Sequence, residues 1–497
     1  MALHVPVRRR FVKGAGTAAV AVLTAVLVSA TLPAAAGAAD AAEGATPVFR
    51  AGAVASNITP WLGEPVIGGW KAAPAKHIHD ELHARCLVLD DGTTRLAIVV
   101  CDNLGIAREV FDEAKRQVHA HTGLPVNRML MAATHTHSSI PCRFKGGQAS
   151  DDGPPDYGRF VARRIVDGVC RAINQLEPAR IAWGTAEVPD EVFNRRWLMK
   201  PGTPLPDPFG GTDRVKMNPG HQRPELLKPS GPVDPQVCFV AVESAAGRPI
   251  AVLANYSLHY VGGVRRQDVS ADYFGAFADR IQQLLGADRL EPPFVGILSN
   301  GTSGDINNIN FAAKHRRRPP YEKIRLVADR VAQAVFAQYK GLTWRTGLSL
   351  DMRQSELELA VRKPTPEQLE KAREMIAHPE WPDKLPHQRT YAHRVVRQHE
   401  SPDTVRVILQ AVRIGDAGIA TVPFETFAET GLDLKARSPR KPTFTISLAN
   451  GSGGYLPTPE QHRLGGYETW LGTSRVEIEA STKIAAALLE MLAAMKP

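Results

Sequence analysis

The stretch Ala133-Thr134-His135-Thr136-His137-Ser138-Ser139 sets two imidazoles one residue apart, directly after an apolar run at 129–132. In an extended chain, residues i and i+2 project to the same side, so both rings are expected to look into one space at a strand end. A metal site, an acid/base site and a merely polar strand end all suit such a pair. Comparable groups stand elsewhere: His259 after the run 251–256, Ser299 to Asp305 after 294–298, Glu425 after 420–423, and Gly451 to Tyr455 after a run beginning at Thr443. Two imidazoles, a carboxylate and small-residue turns at strand ends are the ligand chemistry of Zn²⁺. Each piece alone has an ordinary explanation. A strand-end histidine can be satisfied by backbone, Glu425 can complement a helix N-terminus, and Gly451 to Gly454 can be a plain turn.

These groups need strands to carry them. Strand-like runs fall at 96–100, 129–134, 237–242, 250–256, 294–298, 405–414, 419–422 and 443–448, and amphipathic helices at 108–121, 157–175, 271–285, 322–336 and 476–495. Val110, Ala114 and Val118 make one helical stripe; Ile324, Val327, Val331 and Val335 make another. Two hairpins, one between 237–242 and 250–256 and one around Asp416-Ala417-Gly418, require antiparallel pairs within this alternation. The expected fold is therefore α/β, a large mixed-sheet domain with flanking helices and its active site at strand ends. Two segments interrupt it. Residues 201–232 are rich in Pro and Gly and read as a long surface loop; residues 363–400 are charged, partly helical, and read as an insertion.

Over 497 residues, 43% hydrophobic and 22% charged content is ordinary for a soluble globular protein. Of the formal net charge of +9, four positives (Arg8, Arg9, Arg10, Lys13) lie at the N-terminus, and the rest is too dilute for a nucleic-acid partner. Lys314-His315-Arg316-Arg317-Arg318 reads as a solvated loop, with transient contact to an anionic membrane surface as the second reading. Arg8-Arg9-Arg10-Phe11-Val12-Lys13, an apolar run at 15–32 and Ala34-Ala35-Ala36-Gly37-Ala38-Ala39 make residues 1–39 a Tat-type signal peptide, predicting a periplasmic or extracellular location. A membrane anchor is the other reading of that run. The five cysteines include no C-x-x-C pair, which excludes a cysteine-based zinc site, and Cys86, Cys101 and Cys238 are expected as buried thiols.

Taken in order, these segments resemble the neutral/alkaline non-lysosomal ceramidases in their large N-terminal catalytic domain. Ser56-Asn57-Ile58-Thr59-Pro60 is similar to the family's opening D-I-T-P, and His79-Asp80-Glu81-Leu82-His83-Ala84-Arg85 to its H-D-x-L-x-A-R. The 133–139 stretch resembles the hallmark A-T-H-T-H-S-G-P, Asn194-Arg195 its N-R-S, and Val233-Asp234-Pro235-Gln236 its V-D-P-Q. Residues 299–310 are similar to the N-A-G-N-L-S-P-N segment, and Tyr455 and Tyr467 are spaced as the family's two active-site tyrosines are. The resemblance implies a catalytic domain over 40–497, with the family's smaller C-terminal β-sandwich domain absent. It implies Zn²⁺ held by His135, His259, Glu425 and Tyr455, His137 facing the scissile carbonyl, and Arg195 and Tyr467 holding polar atoms of a small-molecule or lipid substrate. The bland readings of the last two are a surface ion pair, since Arg195 adjoins Arg196, and a loop anchor.

The chain departs from the family where it matters for chemistry. Asn307 stands where the family has an essential serine, and an amide offers no proton whose removal would make a nucleophile. Water on the zinc is then the expected nucleophile, oriented by Asn307 or Asp305. Ser139 also replaces the glycine of the hallmark motif. The implied activity is hydrolysis of an amide or ester bond, ceramidase-like. The competing readings are a non-catalytic zinc-containing binding protein, and an esterase or lactonase acting on a non-lipid substrate in an open, polar pocket.

Overall fold

The computed structural model describes residues 48–69, 71–145 and 156–495; the expected signal peptide lies outside the described residues. Runs such as Arg95–Cys101 (RLAIVVC) and Met129–Ala133 (MLMAA) are apolar at every position after the first arginine, so they must be covered on both faces. They join an eight-stranded mixed sheet. Its order is Val295–Asn300, Pro249–Tyr256, Gln236–Ser244, Glu177–Glu187, Arg50–Asn57, His83–Asp90, Arg95–Cys101, Met129–Ala133. Only the outermost pair at each edge is parallel; every other pairing is antiparallel.

One face of this sheet takes helices. Arg108–Thr122 and Tyr157–Asn174 cover one half, where Val110, Val118, Val161 and Ile165 pack with Cys86, Val99 and Met131. Asp272–Leu284 and Glu322–Tyr339 cover the other, where Phe274, Phe277, Val327 and Val331 meet Phe239, Val252 and Leu298. The opposite face takes a second sheet of four strands, Leu350–Ala360, Thr404–Ile414, Ala417–Val422 and Thr443–Ser447. Leu87, Ile98, Leu130 and Val240 there meet Leu350, Val412, Ile419 and Phe444. Helices Ala428–Arg437 and Ala480–Ala494 close the far side through Leu434, Ile484 and Leu488. The fold has four layers, helix–sheet–sheet–helix. The strand pattern, apolar on both faces, demands cover without saying what supplies it, so the second sheet was not legible as a separate layer.

The two interrupting segments divide. Residues 363–400 carry two helices, Pro366–Ala377 and Gln388–Glu400, as expected. Residues 201–232 are not a plain loop. Val215–Met217 and Leu226–Pro229 flank Arg196–Met199 in a three-stranded sheet. The hairpin expected around Asp416 turns one residue earlier, with Ile414 opposite Ala417 and Gly415 at φ 57°, a conformation that favours glycine. All five cysteines are free, and Cys86, Cys101 and Cys238 are buried. Among the described residues, no helix is long and apolar enough to cross a membrane.

Within the two main sheets three strand pairs are parallel, and each is joined by a helical crossover: Arg95–Cys101 with Met129–Ala133, Pro249–Tyr256 with Val295–Asn300, and Ala417–Val422 with Thr443–Ser447. The carboxyl ends of such strands are where α/β sheets gather ligands. The two sheets also meet there: Asn450 N–H donates to Met131 O at 2.7 Å, and Ala133 N–H to Leu448 O at 3.2 Å.

Candidate metal centre and active site

His135 and His137 leave the strand that ends at Ala133. The shared direction of their rings is not the simple i, i+2 projection of an extended chain, because His135 sits at φ 75°. That left-handed residue is held in place by its own N–H, which donates to Asn103 O at 2.8 Å. The rings end edge to face, 4.8 Å between centroids. Ser139, where a glycine was expected, is fully buried, and its Oγ accepts Leu104 N–H at 3.0 Å. Leu104 O in turn receives His135 Nδ1 at 2.5 Å, so the serine hydroxyl braces the loop that orients His135.

Each of the three histidines gives its Nδ1–H to a main-chain carbonyl: His135 to Leu104, His137 to Gly68 at 2.7 Å, His259 to Ser303 at 2.9 Å. A carbonyl only accepts, so the Nδ1 proton is fixed and neutral rings present bare Nε2 lone pairs. Those lone pairs converge. His135 Nε2 lies 3.0 Å from His259 Nε2 and 3.2 Å from His137 Nε2. Glu425 Oε2 lies 3.2 Å from His135 Nε2 and 3.6 Å from His259 Nε2, and it is buried with no hydrogen-bond partner. Burial, first, and the neighbouring His135 hold the His137 and His259 pKa values well below the ordinary imidazole value. Burial pushes the Glu425 carboxyl up, but His135, Tyr455 and Arg195 outweigh it and the pKa falls below the usual glutamate value.

This donor set suits a divalent cation. One proton on His135 Nε2 could serve a single neighbour and leave the others facing lone pair to lone pair. A tetrahedral ion with N ligands at about 2.0–2.1 Å sets them roughly 3.3 Å apart, close to the separations observed here. The three imidazole donors all lie within 4.8 Å of one another.

Around this centre the other anticipated residues fall in two groups. Tyr455 pairs with Glu425 across two short parallel strands, and its hydroxyl accepts Arg195 Nη2–H at 2.9 Å. Tyr467 stands edge to face with Tyr455 at 5.8 Å between ring centroids. Arg195 is 5% exposed and Arg196 fully buried, which rules out the surface ion pair. Burial disfavours the Arg195 charge, yet Tyr455 and Glu468 outweigh it and raise its pKa. Asp305 and Asn307, by contrast, are committed to protein partners. Asp305 accepts Asn194 Nδ2–H at 2.7 Å and the Ala428 N–H at 2.9 Å; burial, against these bonds, pushes its pKa up to about 7. Asn307 accepts Ile309 N–H at 2.9 Å and donates to Asn218 Oδ1 at 2.8 Å.

Two further residues carry the site and were not anticipated. Glu468, fully buried, takes Arg195 Nε–H at 3.0 Å and Arg196 Nη1–H at 2.6 Å, one on each oxygen. Tyr260 stacks on His137, 3.7 Å between centroids and 14° between planes. The signal for both was adjacency, an acid beside Tyr467 and an aromatic beside His259. Nothing in the sequence marks the carbonyls of Gly68, Leu104 and Ser303 as ring anchors.

No known protein-family profile matches the sequence. Among solved structures, a ceramidase complexed with C2 superimposes with a TM-score of 0.66 at 17% identity, over 90% of this chain and 75% of that one. Neutral ceramidase from Pseudomonas aeruginosa superimposes at 0.62 with 18% identity, over 90% of this chain and 74% of that one. The likeness to neutral ceramidases read from the motifs thus holds for the fold.

Proposed function

We propose that this chain is an exported, zinc-dependent hydrolase of an amide or ester bond, ceramidase-like in its chemistry. The observation that carries the proposal is the convergence of three bare Nε2 atoms, two of which, those of His135 and His259, lie 3.2 and 3.6 Å from a buried Glu425 oxygen that has no hydrogen-bond partner. The shared fold with ceramidases supports the reaction class, and the leader at 1–39 supports export.

His135, His259, Glu425 and Tyr455 would hold the ion. When bound, zinc supplies Lewis-acid polarisation of the carbonyl and lowers the pKa of a coordinated water. Arg195, positive and fixed by Glu468, stabilises negative charge developing on the carbonyl oxygen. His137, neutral with its proton on Nδ1, takes at Nε2 the proton that the attacking water loses and returns it to the leaving amine or alcohol. Tyr467 borders the substrate. Exposed Lys314, Arg316 and Arg317 offer a transient contact for an anionic membrane surface if the substrate is presented in one. A second assignment makes His137 a ligand with His135 and His259, favoured by its 3.2 Å approach to His135.

Metal analysis and turnover test this together. Purified protein is expected to hold one zinc per chain, and to lose both zinc and turnover of N-acyl and ester substrates in His135→Ala. Full activity in His135→Ala would end the proposal. Zinc retained in His137→Ala assigns His137 to proton transfer; zinc lost assigns it to the ion. Saturating zinc at about a hundred times Kd should stabilise the fold by about 2.7 kcal/mol, readable as a rise in Tm that His135→Ala lacks.

A further inference from the structure

A cavity of about 250 Å³ lies beside Tyr467, walled by Leu205, Val215 and Met217 from one side and by Pro386, Tyr467 and Trp470 from the other. Its walls come from the two segments that interrupt the α/β alternation, 201–232 and 363–400, together with the 466–470 turn. Of its polar wall residues, Asp213 is engaged, since Oδ2 accepts the Trp470 indole N–H at 2.9 Å, while Lys216 and His387 are exposed to solvent. Gly466 keeps one wall open. It sits at φ 96°, and a side chain there would meet Arg196 Nη1 at 3.0 Å and Val215 O at 3.2 Å.

Tyr467 is the partition between this cavity and the metal centre. One edge contact reaches Tyr455 at 5.8 Å, and another reaches Trp470 in the cavity wall at 5.9 Å. On the metal side of the partition the groups are polar or charged: Arg195, Glu425 and His137. A substrate spanning both places one apolar arm in the cavity and keeps the rest polar.

We propose that this cavity is the seat of a single unbranched acyl chain, so that the substrate is the amide or ester of a medium-chain acid with a small polar amine or alcohol. The proposal rests on the hydrolase reading for the bond cleaved, and on the cavity alone for the chain. A cavity of about 150 Å³ admits benzene, which scales to roughly ten carbon atoms here. Two long chains exceed it. The acyl side is favoured because the acid released carries its charge next to Arg195 while its chain remains walled by Leu205, Met217 and Trp470.

The test is calorimetric titration of the whole zinc-loaded protein with straight-chain carboxylates from butanoate to tetradecanoate, run beside turnover of the matching N-acyl ethanolamines. Affinity should rise about fourfold per methylene to roughly ten carbons and then level off. Leu205→Trp and Met217→Trp, which fill the cavity from two separate positions, should each move the plateau to shorter chains. Circular dichroism establishes that at least one is folded. Affinity climbing steadily through tetradecanoate, affinity indifferent to length, or an unmoved plateau in the folded variants overturns the proposal. A plateau without turnover of any substrate leaves the chain site standing and removes the hydrolase reading instead.

Discussion

Glu468 holds Arg195 in place: its Oε1 accepts Arg195 Nε–H at 3.0 Å while its Oε2 takes the neighbouring Arg196, and all three groups are buried. One carboxylate between two guanidiniums leaves a net positive charge, and Arg195 passes it on to Tyr455.

Removing that carboxylate charge strands two buried cations. Glu468→Gln is therefore expected to cost about 3–5 kcal/mol in urea unfolding, the range for breaking a buried pair. A cost below about 1 kcal/mol would mean that water reaches both guanidiniums. Arg196→Met, which removes one cation and leaves the Arg195–Glu468 pair, should cost less.

Under the second assignment, with His137 on the ion, Tyr260 should act on the metal through His137. Stacking fixes the ring plane while Gly68 fixes Nδ1. Tyr260→Phe keeps the stack and should leave zinc affinity unchanged in a chelator competition. Tyr260→Ala should weaken it about tenfold, the lower end of the effect of residues that orient metal-binding histidines. Equal affinity in all three proteins would make the stack incidental.

His462 gives the fold an acid-side weakness. Burial, first, and the nearby Arg362 and Arg196 push its pKa down to about 3. The unfolded chain therefore takes up a proton near pH 6.5 that the folded chain refuses. The stability this residue contributes is complete above about pH 6.5 and falls as pH drops from there towards 3, at up to about 1.4 kcal/mol per pH unit. In His462→Gln that one-proton share of the slope should vanish from urea midpoints measured between pH 6 and 4. An unchanged slope would place the lost stability elsewhere.

Asn307 should be structural first and chemical second. Both ends of its amide are bonded, to Ile309 and Asn218. Asn307→Ser loses the Asn218 partner and is expected to cost about 1 kcal/mol. If its place in the sequence is what separates this chain from the ceramidases, the serine should also bring a gain in ceramide cleavage. Unchanged specificity would show that the asparagine does not set it.

The strands, the helices and the polar groups that follow them were legible because apolar periodicity is a local property. So were the expected buried thiols and the helical part of 363–400. The strands Arg50–Asn57, Glu177–Glu187 and Leu350–Ala360 escaped, since charged residues along them or at their ends break the apolar run. By itself the sequence determined which residue types stand at strand ends. Tertiary structure decided what they face: it turned His135 into the left-handed region, pinned three Nδ1 atoms to carbonyls from distant loops, gathered the bare nitrogens, and set those of His135 and His259 beside Glu425. It also tied Asp305 and Asn307 into the frame and set Glu468 behind Arg195. The physical reason is that a hydrogen bond or a shared ion depends on atoms a few ångströms apart, and the partners here lie tens to hundreds of residues apart along the chain.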